Sequence, residues 1–134
     1  MRFLLLSVAA VLMVACEPHV SLVSAQASED ERLDVDTRRA KAVVARIQRA
    51  IRYRKRDALV PLVGDPDLRA GLLRWRGARW PDGPFRGSYR REDQLVLRYG
   101  TDCAGGDACV HEYQLTFAGR RGRFVLMDAQ RFGW

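Results

Sequence analysis

The feature that most constrains the fold is a change in the spacing of apolar residues along the chain. Near the middle of the first half they recur every three or four residues, as Ala40, Val43, Val44, Ile47, Ala50 and Ile51. This spacing predicts an amphipathic helix with one buried stripe. From Phe85 onward they recur every second residue, as in QLVLRYG and CVHEYQLTF, which predicts strands. The chain is therefore expected to be an α+β protein in which helices precede a sheet.

Two helices are predicted before the sheet. The first lies within residues 28–60, where Ser28 and Glu31 fit a capping box and acidic residues precede basic ones, an order that complements the helix dipole. The second begins after Asp65, which is followed by proline and is a suitable N-cap. Gly77 is suited to end it.

Four strands are predicted, at residues 85–91, 94–100, 109–117 and 123–132. The first is short and charged, as edge strands often are. Short Gly-containing or polar segments separate the strands, which favours an antiparallel meander. The expected architecture is two N-terminal helices packed on a four-stranded antiparallel β-meander, with one disulfide.

The N-terminus indicates export. Residues 4–15 are apolar or small and span about 18 Å as a helix, too short for a bilayer core of about 30 Å. This is typical of a secretory signal peptide. Cleavage after Ala27 leaves a single domain, residues 28–134. Alternatively, LMVAC resembles the lipobox of bacterial lipoproteins, which implies a leader of residues 1–15 and lipidation of Cys16. Either route predicts a protein that is periplasmic or anchored to the bacterial envelope, with membrane contact only through a lipid anchor at Cys16.

With Cys16 removed or lipidated, Cys103 and Cys109 remain, and an oxidising compartment favours a disulfide between them. The Gly-Gly pair between them can fold the chain back. A metal site using these cysteines with His111 and a neighbouring aspartate is one alternative, but structural zinc sites commonly have two to four residues between cysteines, and here there are five. Free or redox-active thiols are the other alternative, although a redox motif typically has two residues between its cysteines. We therefore expect no metal and no cofactor.

The chain carries a formal charge of +7, and Lys41 and Lys55 are its only lysines among 23 basic residues. Such a bias towards arginine resembles the codon usage of a GC-rich genome. Export excludes nucleic acid as an ordinary partner and leaves acidic proteins, cell-wall polymers and anionic lipid head groups. The basic run Arg52–Arg56 is interpreted as a solvated helix end.

Tryptophans beside arginines, in RWRGARW and QRFGW, are the best indication of a binding surface, because these residue types dominate binding hot spots. The alternative is that the aromatic residues fill the core. The predicted binding residues are Trp75, Arg76, Arg79, Trp80, Arg131 and Trp134.

Few residues suggest catalysis, so an enzymatic function is disfavoured. Glu112 and Asp128 could face each other on neighbouring strands as a carboxylate pair. His111 falls on the apolar face of its strand and is expected to be packed with its hydrogen bond satisfied. The leading hypothesis is a non-catalytic envelope protein, such as an immunity or inhibitor protein, that binds an envelope protein or another anionic envelope component.

The order of elements supports an alternative. A helix carrying AIRYRKRDALVPLV, a second helix and a curved antiparallel sheet resemble the cone fold of nuclear transport factor two and ketosteroid isomerase. This resemblance implies a small-ligand-binding protein or an enzyme in which a carboxylate and a tyrosine transfer protons. No residue of this chain is assigned those roles.

Overall fold

The structure, a computed structural model, describes residues 19–77, 79–103 and 109–133. Within these ranges it describes only the backbone at residues 19–25, 27, 102, 103, 109, 110 and 133. Residues 1–18 of the predicted leader, with Cys16, and Trp134 lie outside the described residues, as do the two side chains of the predicted disulfide. None of the helices in these ranges combines the length and apolar content needed to cross a membrane.

Helix α1 runs from His19 to Arg52. The predicted stripe is confirmed, because all six of its residues are at most 9% exposed. The arginines that fall off the stripe, Arg38, Arg39, Arg46 and Arg49, are exposed. The capping box predicted at Ser28 is wrong, because Ser28 lies inside a helix that already begins at His19.

Two short helices follow, α2 from Arg56 to Leu59 and α3 from Pro66 to Leu73. The predicted cap of α3 is confirmed, since the Asp65 carboxylate accepts a hydrogen bond of 2.9 Å from the Asp67 amide. Such a bond satisfies one of the free N–H groups at a helix start. The helix ends four residues before Gly77, which the sequence suggested as its end.

The sheet confirms the predicted meander and the α+β class. Its strands are β1 (Phe85–Arg91), β2 (Gln94–Cys103), β3 (Cys109–Arg120) and β4 (Arg123–Gly133). They lie in the order β1-β2-β3-β4, and each neighbouring pair is antiparallel. Between β3 and β4, Arg121 and Gly122 both have a positive φ, as a two-residue hairpin turn of the favoured type requires.

The two faces of the sheet have different surroundings. One face packs on the stripe of α1 through Leu95, Leu97, Leu115 and Phe117, all fully buried. The other face is largely polar, and on it the Arg98 guanidinium donates a 2.5 Å hydrogen bond to Glu112. Val96 is nevertheless fully buried on this outer face, between its cross-strand neighbours Tyr89 and Thr116.

The free edge of β4 is partly covered by the segment between α2 and α3. Leu62 and Gly64 exchange backbone hydrogen bonds of 2.9 and 2.8 Å with Leu126, and Val63 forms a parallel bridge to the same residue. Covering an edge in this way limits its pairing with other chains. The sequence did not predict this contact, because a bridge of one residue leaves no periodicity.

The loop before β1 lies tightly against β2. Gly83 has a φ of +83°, and a Cβ placed on it would lie 2.5 Å from the backbone carbonyl of Gly100. The Gly100 amide also donates a 3.0 Å hydrogen bond to the Pro84 carbonyl. Only a residue without a side chain fits this position, so Gly83 fixes the approach of the loop to the sheet.

We expect Gly83→Ala to lower the free energy of unfolding by about 2 kcal/mol or more, because it combines a left-handed backbone with a clash against backbone atoms. Gly71→Ala is the matched control, since Gly71 lies in α3 with nothing within 4 Å of its added Cβ. That change should raise the same free energy by about 0.5 kcal/mol. Urea unfolding of both variants measures the difference, and equal effects would contradict the assignment.

Candidate binding cleft

An open cleft of about 600 Å³ lies where the end of α1 meets the segment between α3 and β1. Its lining comes from the last turns of α1, from Arg54 just beyond them, and from the segment that precedes β1. The lining residues are Gln48, Ile51, Arg52, Arg54, Trp75, Arg76, Gly77, Arg79 and Trp80. Residues far apart in the sequence therefore meet in one concave surface.

The end of α1 positions Arg54 at the cleft. The Lys55 amide bonds the Ala50 carbonyl at 2.9 Å and the Arg54 amide bonds the Ile51 carbonyl at 3.2 Å, which is the Schellman pattern of a helix end. Arg54 occupies the position usually taken by glycine, with a φ of +54°, at a cost of about 1 kcal/mol. Its guanidinium donates to the Leu73 carbonyl, and this bond ties the end of α1 to the end of α3.

Trp75 forms the wall of the cleft that faces the core. Its half-buried ring meets Tyr113 edge to face, with ring centroids 6.2 Å apart. A Cβ on Gly77 would lie 2.7 Å from the indole ring, so the backbone at Gly77 lies directly against the tryptophan. Trp75 therefore packs between the segment that follows α3 and the sheet.

The lining of the cleft is cationic. Its four arginines are exposed, and no carboxylate is among the described lining residues. Arg79 also acts on Tyr99: burial raises the pKa of Tyr99 to about 12, and Arg79 opposes that rise. Guanidinium groups bind carboxylates and phosphates through pairs of parallel hydrogen bonds. The arrangement can therefore hold an anionic group against an aromatic wall.

Three buried polar atoms have no hydrogen-bond partner among the described residues: Trp75 Nε1, His111 Nδ1 and the Tyr113 hydroxyl. Burial raises the pKa of Tyr113; Arg131 opposes the rise and Asp82 adds to it. His111 is half-buried on the core side of β3, but the satisfied hydrogen bond expected from the sequence is not found there.

Because its buried hydroxyl has no partner among the residues that the structure describes, Tyr113 contributes a desolvation cost that phenylalanine would not. Tyr113→Phe is therefore expected to raise the free energy of unfolding by about 1 kcal/mol and keep the edge-to-face contact with Trp75. Thermal unfolding measures the change, and Tyr53→Phe is the control because Tyr53 is 59% exposed. A clear loss of stability in the Tyr113 variant would show that the hydroxyl has a partner.

The structure brings together four of the six predicted binding residues. Trp75, Arg76, Arg79 and Trp80 line the cleft, although Trp80 is only 4% exposed and its ring belongs mainly to the core. Arg131 lies outside the cleft, where its guanidinium carbon is 5.8 Å from the centre of the Tyr113 ring. Trp134 lies outside the described residues.

Arg52 and Arg54 are the cationic lining residues that the sequence analysis did not predict, because it assigned the basic run to solvent. The exposure of both side chains agrees with that interpretation. However, both also line the cleft, and a contact between the end of α1 and a segment more than twenty residues away leaves no local pattern. The sequence also gave no indication that Arg54 adopts the left-handed backbone conformation that glycine usually takes.

The carboxylate pair suggested for catalysis is not formed. Glu112 and Asp128 do not face each other, since Asp128 pairs with Thr116, four residues along β3 from Glu112. That offset corresponds to about 13 Å along a strand. Glu112 instead bonds Arg98. Among the residues that the structure describes, no three His, Cys, Asp or Glu side chains are grouped to hold a metal ion.

Comparisons with known proteins do not assign a family. No protein-family model matches the chain, and no curated protein and no solved structure matches it either.

Proposed function

We propose that this chain is an exported bacterial envelope protein without a catalytic role, which binds an anionic partner through the arginine-lined cleft. The observation that carries the proposal is the convergence of Arg52, Arg54, Arg76 and Arg79 on one cleft with an aromatic wall. An immunity or inhibitor protein that blocks an acidic protein is one concrete form of this function.

The shape of the cleft favours a macromolecular partner over a small ligand. Sites for small ligands usually enclose most of the ligand surface, whereas this cleft is open to solvent. An exposed arginine–carboxylate pair contributes only about 0.5 kcal/mol, so tight binding needs several pairs around an apolar anchor. Trp75 and Ile51 supply apolar surface between the arginines.

Export remains part of the proposal and is supported by where the core begins. Cleavage after Ala27 would shorten α1, yet among the side chains that the structure describes, the first buried one in α1 is that of Thr37. All the buried side chains described for this helix would therefore remain in the domain of residues 28–134. Lipidation at Cys16 would leave the same core.

We also retain the disulfide between Cys103 and Cys109 as a proposal. The backbone register of β2 and β3 pairs these two residues directly, and facing residues in antiparallel strands have Cα atoms about 4.5–5.5 Å apart. That separation lies within the range of disulfides. Such a bond would close the end of the hairpin next to His111.

Intact-mass measurement of the protein purified from its host tests export and the disulfide together. We expect a mass that corresponds to cleavage after Ala27 or to a lipidated Cys16, and lower by two hydrogens than the reduced form. Alkylation without a reducing agent should label neither Cys103 nor Cys109. Labelling of both residues would contradict the disulfide, and an intact leader would contradict export.

Capture of the partner from an envelope extract tests the cleft. The double variant Arg76→Glu and Arg79→Glu should weaken binding of the captured partner by at least about tenfold, because it reverses two charges where an anionic group would bind. Arg38→Glu with Arg120→Glu makes the same change in net charge at exposed positions outside the cleft. If both double variants lose binding equally, the cleft is not the site.

A small-ligand-binding protein of the cone type is a second candidate, supported by the unpartnered polar atoms of Trp75, His111 and Tyr113. A ligand that bonds these atoms would satisfy them. The Tyr113→Phe variant discriminates between the two functions: for protein purified from its host, loss of stability favours the ligand, whereas gain favours the macromolecular partner.

A further inference from the structure

The positive charge of the chain is concentrated at one place in the fold. Residues 46–57, from the last turns of α1 into α2, contain six basic residues and one acidic residue. This stretch therefore carries a formal +5 out of the +7 of the whole chain. All seven charged side chains are exposed. A charge of this density is more than a helix dipole requires, since only cations in the last turn interact with it appreciably.

Large apolar side chains are exposed at the same place. Tyr53 is 59% exposed and Val60 is 55% exposed, and among the described residues Phe132 is the only other large hydrophobic side chain classed as exposed. Neither helix capping nor the helix dipole explains why these side chains are exposed, because neither effect requires apolar groups in water. Exposed apolar groups next to cations instead indicate a surface that contacts something.

A groove of about 350 Å³ on the side of α1 away from the cleft is lined by both cationic and apolar side chains. Its apolar part comes from Ala50, Tyr53, Ala58, Pro61 and Leu62, and its cations are Arg46, Arg49 and Lys55. No carboxylate is among its described lining residues. It shares no lining residue with the arginine-lined cleft.

We propose that this groove and the adjoining exposed side chains of Tyr53 and Val60 form a docking face for an anionic lipid bilayer. The cations contact lipid phosphates, and Tyr53 and Val60 enter the boundary between head groups and acyl chains, where aromatic and aliphatic side chains of interfacial proteins lie. This function is additional to binding in the cleft and does not depend on it.

A bilayer fits these observations better than an acidic protein does. The cations all lie around the end of one helix. Their spacing is therefore set by the path of the backbone and not by the positions of carboxylates on a folded partner. Lipid head groups diffuse laterally and can match charges at any spacing, whereas carboxylates on a folded protein must already lie in the right places. Tyr53 and Val60 also form only a small apolar surface, and a surface of that size is sufficient to enter a lipid interface.

Vesicle co-sedimentation of the full chain tests the proposal, with vesicles of phosphatidylcholine alone and of phosphatidylcholine mixed with phosphatidylglycerol. We expect binding that requires phosphatidylglycerol and weakens with added salt. Arg49→Gln with Lys55→Gln should lower binding to the anionic vesicles by at least about tenfold, since each basic residue near such a surface contributes about fivefold. Arg38→Gln with Arg120→Gln is the charge-matched control and should change binding less than about twofold.

The apolar contribution is tested separately. Tyr53→Ser with Val60→Ser should lower binding to the anionic vesicles by about threefold or more, whereas Phe132→Ser should leave it unchanged. Because Tyr53, Val60 and Phe132 are all exposed, the melting temperature should stay constant in each variant.

Three results would overturn the proposal: equal binding to both kinds of vesicle, no binding to either, or equal loss in the charge pair and its control. Failure of this proposal and failure of the proposed function are distinguishable. Arg76→Glu with Arg79→Glu should weaken capture of the envelope partner and leave vesicle binding unchanged, and Arg49→Gln with Lys55→Gln should do the reverse.

Discussion

The packing of one apolar stripe of α1 on one face of the sheet is the interaction on which the rest of the structure depends. Ile47 is fully buried against a face that includes Leu97 and Phe117, and each such side chain contributes about 1.5–3 kcal/mol when fully buried. A 2.7 Å hydrogen bond between Thr37 and Ser88 joins the helix to β1. With the helix held in this way, its C-terminal end has one position, beside the segment that carries Trp75.

The same packing explains why charge accumulates at that end. A helix that buries a stripe of small and branched apolar residues must place its arginines elsewhere, and its C-terminus is where cations are most favourable. These cations line two different surfaces. Arg52 and Arg54 face the cleft with Trp75, whereas Arg49 and Lys55 line the groove with its apolar floor. The two binding surfaces that we propose therefore lie at one helix end and share no lining residue.

The structural features that could be predicted from the sequence are those that depend on local residue spacing. The stripe of α1, the cap at Asp65 and all four strands follow from spacings of two to four residues, and the structure agrees with each. The start of α1 was predicted wrongly because Ser28 has the chemistry of a cap although it lies within a longer helix. The cleft was only half predicted. The residues around Trp75 form a motif, but Arg52 and Arg54 join them through tertiary packing, which no spacing in the sequence records.

We propose that the packing of α1 assembles four arginines and a tryptophan into one anion-binding cleft. The most direct measurement is an NMR titration that follows the arginine Nε–Hε and tryptophan indole signals while poly-L-glutamate is added as a carboxylate probe. We predict that the signals of Arg52, Arg54, Arg76 and Arg79 move together with that of Trp75 and saturate with one dissociation constant. If every exposed arginine instead shifts weakly and without saturation, the four side chains do not form a site.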